Sequence, residues 1–528
     1  MPQSDQHSDS LPPVWNIRAP RCREFTNRSD TLEDLHQSLL DDHICILAPP
    51  QAEMPGIGLS TLALEYAYTH ASDYQVVWWM DAEHLSSMCI EFTQLGKALD
   101  MVDQKDDNRF FSIDRIKRRL EQHQGWLLIF DNVPDPSLIP SFLPEQTEGH
   151  VIITSPQPTQ HTAISSITVE PLDPESLDSL YPHAHLGESE ISNPLNGNLL
   201  ALNIINAYHD ETGDPIDAML NALQQNLNSL ERPTHALAIQ DALRFPLSLL
   251  SQKYPAAKDF LALCSFLNPG HIPLSLFDKI DKILTPRLIE AMRTDEDIEE
   301  LISPLLKLNL VSRSEDGISI HPSIQLTVRE GMSETPFLAW SNAAVKLINC
   351  AFPFETQYET PNPVCTRLIS HLLHVTNIAE ERDVALEYVS TLLYQAGLYI
   401  HAHRLLEEAQ MCYLRSINIA ERKLGTIHQT IATRVNNLGI VEQELGNLDN
   451  AQTCFERAME ICETIYGPTK EAVYTGIPDA MLTMPLRNLC RVLEEKGDVK
   501  RAQRAFEKAM KTFVDVYGWN HSVVAECA

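Results

Sequence analysis

Short apolar runs alternate with amphipathic stretches through the first third of the chain. From Phe25 to Leu39 the apolar Leu32, Leu35 and Leu39 fall at helical spacing behind a Ser29 or Asp30 cap. A buried strand is expected from His43, then a turn rich in Pro and Gly, and Ser60-Thr61 opens an amphipathic helix. Tyr74 to Asp81 reads as a second strand and two helical patterns fill 84–124. Trp126 to Asp131 is a third strand, His150 to Ser155 a fourth, and Ile164 to Val169 a weaker fifth. Buried strands alternating with helices predict a parallel α/β sheet with helices on both faces. Residues 204–250 and 335–385 follow helical patterns, the latter with breaks at Pro353, Pro361 and Pro363. Residues 1–24, with Pro12, Pro13 and Pro20, read as a disordered leader.

The C-terminal segment repeats itself. Ala409, Ala451 and Ala502 each begin the pattern A-x-x-x-[YF]-x-x-[AS], completed by Tyr413/Ser416, Phe455/Ala458 and Phe506/Ala509. Before them at a fixed offset lie Ala396-Gly397, Leu438-Gly439 and Leu489-Cys490. Ala451 follows Ala409 by 42 residues and Ala502 follows Ala451 by 51, the difference fitting an insertion around Tyr474 to Thr483. Leu424-Gly425, Tyr466-Gly467 and Tyr517-Gly518 mark the joints. This is the spacing of helix-pair repeats of the tetratricopeptide class in their long form. Small residues let the paired helices approach, and the aromatic fills the seam. Trp519 to Ala528 reads as the opening of a further first helix, a last repeat cut short.

At 528 residues the chain should hold three or four domains, and 44% hydrophobic content is enough for packed cores. No run approaches the roughly 20 apolar residues of a membrane helix, and Met1 to Ser10 is too polar for a secretory signal. Eleven cysteines without a C-x-x-C pair suit free thiols in a reducing compartment. The cytoplasm is the expected location, with a nuclear address left open. A net charge of −32 argues against nucleic acid, because the one dense basic cluster, Arg115 to Arg119, sits in a helical pattern flanked by acids. The pairs His183/His185 and His401/His403 are spaced so that a helix points them to different faces, which argues against a metal site.

The turn after the first strand has the outline of a phosphate-binding loop, G-x-x-x-x-G-K-[ST], where glycines and a helix N-terminus aim N–H groups at an anion. With Gly58 as second glycine and Ser60 as hydroxyl, the first glycine falls on Glu53 and the lysine on Leu59. No shift of register restores it, since the first lysine of the chain is Lys97. Pro55 also removes a backbone donor. A charged hydrogen bond contributes roughly 1.5–3 kcal/mol, so the missing lysine should weaken phosphate binding about ten- to a hundredfold. The apolar strand ending in Asp131 would set that carboxylate beside a magnesium ion, opposite Ser60. Thr154-Ser155 ends the next strand. Taken singly, the loop also fits a strand-turn-helix that never held phosphate, and Asp131 also fits a cap for the turn to Pro136.

In that order and spacing these motifs resemble the NB-ARC type of signal-transducing P-loop NTPase of the STAND class, joined to tetratricopeptide repeats as in fungal NLR-like proteins. The resemblance covers roughly residues 25–528. Phe25-Thr-Asn-Arg28 is similar to F-x-G-R, and Gly56-Ile57-Gly58-Leu59-Ser60-Thr61-Leu-Ala to G-I-G-K-T-T-L-A. Leu127 to Asn132 matches the acidic strand, and Val151 to Pro156 resembles I-I-T-T-R with Pro156 in place of arginine. Asn196 to Leu202 resembles G-G-L-P-L-A-L without its proline, and His321 to Arg329 resembles H-x-L-V-Q-x-x-V-R. The resemblance implies a P-loop domain over 25–195, a helical subdomain over 196–250 and a winged helix over 251–335. A helical connector over 336–385 and repeats over 386–528 would follow. It implies an ADP or ATP site contacted by Arg28, Gly56, Ile57, Gly58, Ser60, Thr61, Asp131 and His321, with Mg at Ser60 and Asp131 only when nucleotide binds. His321 would close over the β-phosphate; read alone, a histidine there is a core or capping residue.

Three functions follow from this. One is a signalling scaffold with a degenerate nucleotide site and a protein-binding repeat surface. Another is an active ATP-hydrolysing switch using an unrecognised cation. The third is a plain repeat adaptor with an inert N-terminal half. A superhelix of helix pairs lines its concave face with first helices, here carrying Arg434, Asn436, Asn437, Gln443, Arg487, Asn488 and Arg491. Asn437, Asn488 and Arg491 are the candidate partner-binding residues, suited to carboxylates or peptide backbone. Self-association through the P-loop domain is a further expectation.

Overall fold

The apolar runs become strands where a second run lies beside them. The structure is a computed structural model describing residues 12–21, 25, 28–52, 54–99, 113–144, 149–158, 164–172, 176, 180, 198–228, 235–278, 283–314, 316–352, 363–466 and 480–517. It divides into two compact units at 351/352.

The first unit opens with β1 (Val14–Trp15), α1 (Ser29–Asp42), β2 (Ile44–Ala48), α2 (Leu59–Thr69), β3 (Val76–Asp81), α3 (Leu85–Ala98), α4 (Ile113–Glu121), β4 (Trp126–Asp131), β5 (His150–Thr154) and β6 (Ser165–Thr168). The strands form one parallel sheet in the order β1-β3-β4-β5-β2-β6. Its centre is dry: Leu127, Leu128, Ile129, Val151, Ile152 and Ile153 are fully buried. Parallel pairing brings every C-terminal strand end to one edge, where the loop between β2 and α2 also lies.

The expected leader is the main departure. Val14–Trp15 extends the sheet by pairing with Val76–Val77. Asn16 continues the pairing with its side chain, accepting from Trp79 N–H (2.6 Å) and donating to Trp79 C=O (2.8 Å). Trp15 packs on Tyr68, Arg21 pairs with Glu65 at 2.6 Å, and Tyr68 Oη donates to Ala19 C=O. These tertiary contacts hold residues 12–21 in place.

Three helices follow: α5 (Leu199–Thr212), α6 (Ile216–Asn228) and α7 (His235–Lys253). Next come α8 (Pro255–Cys264), β7 (Ile272–Pro273), α9 (Pro286–Glu290), α10 (Asp295–Lys307), β8 (Ser312–Arg313), β9 (Gly317–Ser319), α11 (Pro322–Glu330) and α12 (Glu334–Ala351). The short strands make an antiparallel sheet ordered β7-β9-β8, the wing beside its helices. A capping box at Thr294/Asp297 starts α10.

The stretch expected as a single connector is divided. α12 buries Ala344, Val345, Leu347 and Ile348 in the first unit and sets Phe337 against Phe266. α13 (Pro363–Glu381) belongs to the second, where Thr366 and Tyr399 hydroxyls meet at 2.7 Å.

The second unit continues with α14 (Leu386–Ala402), α15 (Leu406–Leu424), α16 (Gln429–Glu444), α17 (Leu448–Tyr466), α18 (Ala480–Glu495) and α19 (Val499–Tyr517). These are the antiparallel helix pairs that the repeat predicts. A Cβ on Gly397 would sit 2.7 Å from the Tyr413 ring, and one on Gly439 2.7 Å from Phe455, so glycine lets each aromatic into the seam. Tyr413 and Phe455 are fully buried, whereas Phe506 is 40% exposed. Of the insertion expected around Tyr474 to Thr483, residues 474–479 lie outside the described residues and Ala480 to Thr483 is helical. Trp519 to Ala528 also lies outside the described residues.

Candidate functional site

β2 delivers the chain to the loop, and two glycines in the left-handed region turn it into α2: Gly56 at φ 80° and Gly58 at φ 95°. Side chains avoid such angles, which is why glycine stands at both. Gly58 is the N-cap, and Leu62 N–H is the first to bond back, to Gly58 C=O. The N–H groups ahead of it have no intrahelical acceptor, which makes this end an anion-binding feature. Ile57 is buried beneath the turn. Ser60 is exposed on the first turn of α2 and Thr61 half-buried beside it.

The Ser60 hydroxyl donates to Asp131 Oδ1 at 2.7 Å, and the Thr154 hydroxyl donates to the same oxygen at 2.6 Å. Asn132 N–H in turn donates to Thr154 Oγ1. Burial pushes Asp131 up to about 6, assisted by Asp81 and opposed by these two hydroxyls. A magnesium ion with oxygens at about 2.0–2.1 Å sets neighbouring ligands about 2.9 Å apart. The Ser60–Asp131 spacing of 2.7 Å is close to that.

Leu59, where the loop lysine was sought, packs against the sheet core together with Phe25 and Leu32. A cation does approach from elsewhere. Arg28 is 6% exposed, and its Nη1 lies 3.3 Å from where a Gly58 Cβ would be. Among the described residues its hydrogen bond is to Glu170 C=O, at 3.1 Å. Burial lowers Arg28 to about 10, so it stays charged at neutral pH.

The outer side of the loop is covered by the start of α5. Asn198 caps that helix through Ala201 N–H and donates to Pro55 C=O at 3.1 Å. A Cβ on Gly56 would meet Leu200 Cβ at 2.8 Å, so any side chain there would push α5 away. Asn196 and Gly197 of the expected motif lie outside the described residues, as does Glu53.

His321 comes from a different element, the start of α11. It is the N-cap of α11, and its Nδ1 accepts from Ser323 N–H at 3.2 Å. Burial lowers it to about 4, so the ring is neutral with its proton on Nε2. Among the described residues no hydrogen bond joins it to the loop. Sequence reasoning missed the groups beside Asp131. Asp81, paired with Asp131 in the sheet register, accepts from Asn268 Nδ2 at 3.1 Å and so ties the turn before β7 to the end of β3. Glu91 accepts from Asp81 N–H, and burial, then the Asp81 charge, pushes it up to about 8. No motif marks these positions; only the fold brings them together.

On the repeats, Asn437 donates to Tyr394 Oη at 2.9 Å, Asn436 donates to Asn437, and Asn488 donates to Asn436 Oδ1 at 3.1 Å. This polar chain crosses α14, α16 and α18. Asn488 is 7% exposed, a strut between helices, while Arg491 is exposed. Arg434 lies beneath the Tyr394 ring, donating to Ser390 Oγ and to Ser416 C=O.

A family model described as tetratricopeptide repeat matches residues 429–475, and one described as domain of unknown function (DUF7779) matches 249–337. The second contains the whole of the stretch 251–335 and extends two residues beyond each end. Among solved structures, the chain is similar to a Signal Transduction ATPase with Numerous Domains (STAND) protein with a tetratricopeptide repeat sensor from Pyrococcus horikoshii. That likeness has 14% identity and a TM-score of 0.42, and covers 97% of this chain and 86% of that one. It is also similar to a Walker-type ATPase of Pyrococcus abyssi, with 12% identity, 60% and 99% coverage and a TM-score of 0.30. For BtubC from P. vanneervenii the values are 13% identity, 63% and 95% coverage and 0.27. No curated protein matches in sequence. Among the described residues no helix is long and apolar enough to cross a membrane.

Proposed function

We propose that the chain is an NB-ARC-like signalling scaffold whose degenerate loop holds ADP or ATP weakly and whose repeats take a protein partner. One observation carries this reading. The Ser60–Asp131–Thr154 hydrogen bonds are in place, while the lysine position is a leucine packed half-buried against the core. Phosphates would lie against Gly56, Ile57 and Gly58 and meet the N–H groups of Ser60 and Thr61. Ser60 and Asp131 would hold a magnesium ion arriving with nucleotide, and that ion would offset phosphate charge. The Nε2–H of His321 is the group it has to offer a phosphate. Without lysine or a sensor arginine at Pro156, little stabilises charge on a transferring phosphoryl group, so hydrolysis should be negligible. The partner belongs on the tetratricopeptide surface, around Asn437 and Arg491. Self-association through the loop domain and a cytoplasmic location complete the reading.

Arg28 favours a second reading, an ATP-hydrolysing switch in which its guanidinium replaces the lysine. Calorimetric titration of the full chain with ADP and ATP, with and without magnesium, tests the first, and a phosphate-release assay separates the two. Weak binding with release equal to the blank supports the scaffold. Turnover that vanishes in Asp131→Ala establishes the switch. No binding of either nucleotide overturns both and leaves a plain repeat adaptor.

A further inference from the structure

At the N-terminal edge of the parallel sheet, remote from the loop, four histidines and two tyrosines meet. His36 Nδ1 lies 3.1 Å from Tyr66 Oη, Tyr66 Oη 3.1 Å from Tyr74 Oη, and Tyr74 Oη 2.7 Å from His150 Nδ1. His70 stacks on His36, with centroids 4.2 Å apart at 11°, and on Tyr66 at 4.5 Å. His43 approaches His150 to 5.8 Å, and its own Nδ1 is buried without a partner. The groups come from every neighbouring element: His36 from α1 and His43 from its C-cap, Tyr66 from α2 and His70 from its C-cap. Asp73 and Tyr74 precede β3, and His150 starts β5. Asp73 is the carboxylate facing the cluster, 3.0 Å from His70 Nδ1.

Proton counting limits this chain. Its three links from His36 to His150 need three hydrogens, and the two hydroxyls supply two. One end imidazole must therefore donate from Nδ1 while the other accepts with a bare Nδ1. An imidazolium carries hydrogen on both nitrogens, so protonating both ends leaves two hydrogens facing each other and one link breaks.

We propose that this tyrosine–histidine chain is an acid-sensitive clasp that holds the C-terminal end of α2 to the sheet while its accepting imidazole is neutral, and releases it when both end imidazoles are protonated. The helix it releases begins at the glycine loop, so the clasp acts on the opposite end of the element that shapes the candidate site. The clasp does not depend on nucleotide binding. Burial and the surrounding imidazoles lower His150 to about 4. A histidine whose folded value lies below its ordinary value of about 6.5 stabilises the fold above that pH. The contribution is lost as pH falls from about 6.5 towards about 4.

Hydrogen exchange of the full chain, corrected for the intrinsic pH dependence of exchange, tests this at about pH 7.5 and about pH 5. Protection across 62–74 should fall by about tenfold or more relative to the central strand 126–131 in acid. His36→Gln/His150→Gln, which cannot titrate, should lose that difference. Tyr74→Phe, which cuts the chain without removing an imidazole, should leave 62–74 weakly protected at both pH values. Equal protection of the wild type at both pH values overturns the proposal. So does a double glutamine variant that follows the wild-type loss, or a Tyr74→Phe variant that keeps it.

Discussion

Replacing Leu59 by lysine restores the charge the loop lacks, and both sides of its effect can be worked out. On the binding side, a charged hydrogen bond to phosphate contributes roughly 1.5–3 kcal/mol, so ADP affinity should rise about ten- to a hundredfold. On the folding side, Leu59 is half-buried against the core of the sheet domain. Full burial of a leucine is worth about 1.5–3 kcal/mol, so removing a half-buried one should cost about 1 kcal/mol. The lysine stem can cover part of the same apolar surface while its ammonium reaches out, which reduces that cost. Titration calorimetry with ADP on both proteins, beside denaturant unfolding, measures the two terms separately. If wild type binds ADP and Leu59→Lys binds it no more tightly while still folded, the missing lysine is not what weakens the site, and the reasoning fails.

Arg28→Gln should lower ADP affinity by about tenfold, since its guanidinium approaches Gly58 and a charged hydrogen bond is worth roughly 1.5–3 kcal/mol; unchanged affinity would remove it from the site. Glu91→Gln should make stability less dependent on pH. A carboxyl raised to about 8 stabilises the fold at acid pH and loses that contribution as pH rises through about 8, so the variant should fall less between about pH 6 and about pH 9 in thermal unfolding. Phe455→Ala should destabilise the repeats by about 3–5 kcal/mol. Phe506→Ala, already 40% exposed, should cost much less, and equal losses would refute the seam assignment. Asn488→Ala should lower repeat stability by about 1–3 kcal/mol, because it leaves the buried Asn436 carbonyl unpaired.

The pattern foretold elements wherever burial alone decides structure. The strands around Ile46, Ile129 and Ile152 are apolar because they are covered on both faces. The repeats were legible for a related reason. A glycine in one helix and an aromatic in the next must coincide at a fixed offset, as Gly397 with Tyr413 and Gly439 with Phe455 do. What escaped was structure made by distant partners. β1 is two residues long between prolines, too short for any periodicity, and exists because Val76, Val77 and Trp79 offer it an open edge. The prolines at 353, 361 and 363 mark breaks in the stretch 335–385, but not that α12 and α13 fall in different units according to which core each one feeds.

The same distinction applies within the site. Gly56, Gly58, Ser60 and Asp131 were legible because each has a local geometric reason: left-handed backbone, a helix N-terminus, a strand end. Arg28 was named from its motif, but not its place beside Gly58. Asn198 was read within the motif at the start of α5, but not its bond to Pro55 C=O across 143 residues of sequence. Together these contacts bear on what holds the turn with a leucine at position 59. A leucine that pointed into the loop would leave an apolar side chain facing an anion cradle. Leu59 instead packs half-buried against the core, while Arg28 and the α5 N-terminus lie on the flanks of the turn. Contacts on both flanks therefore brace the left-handed turn. On the scaffold reading proposed above, a turn braced in this way would keep its conformation with weak or no nucleotide, which a scaffold needs and a rapid hydrolase does not.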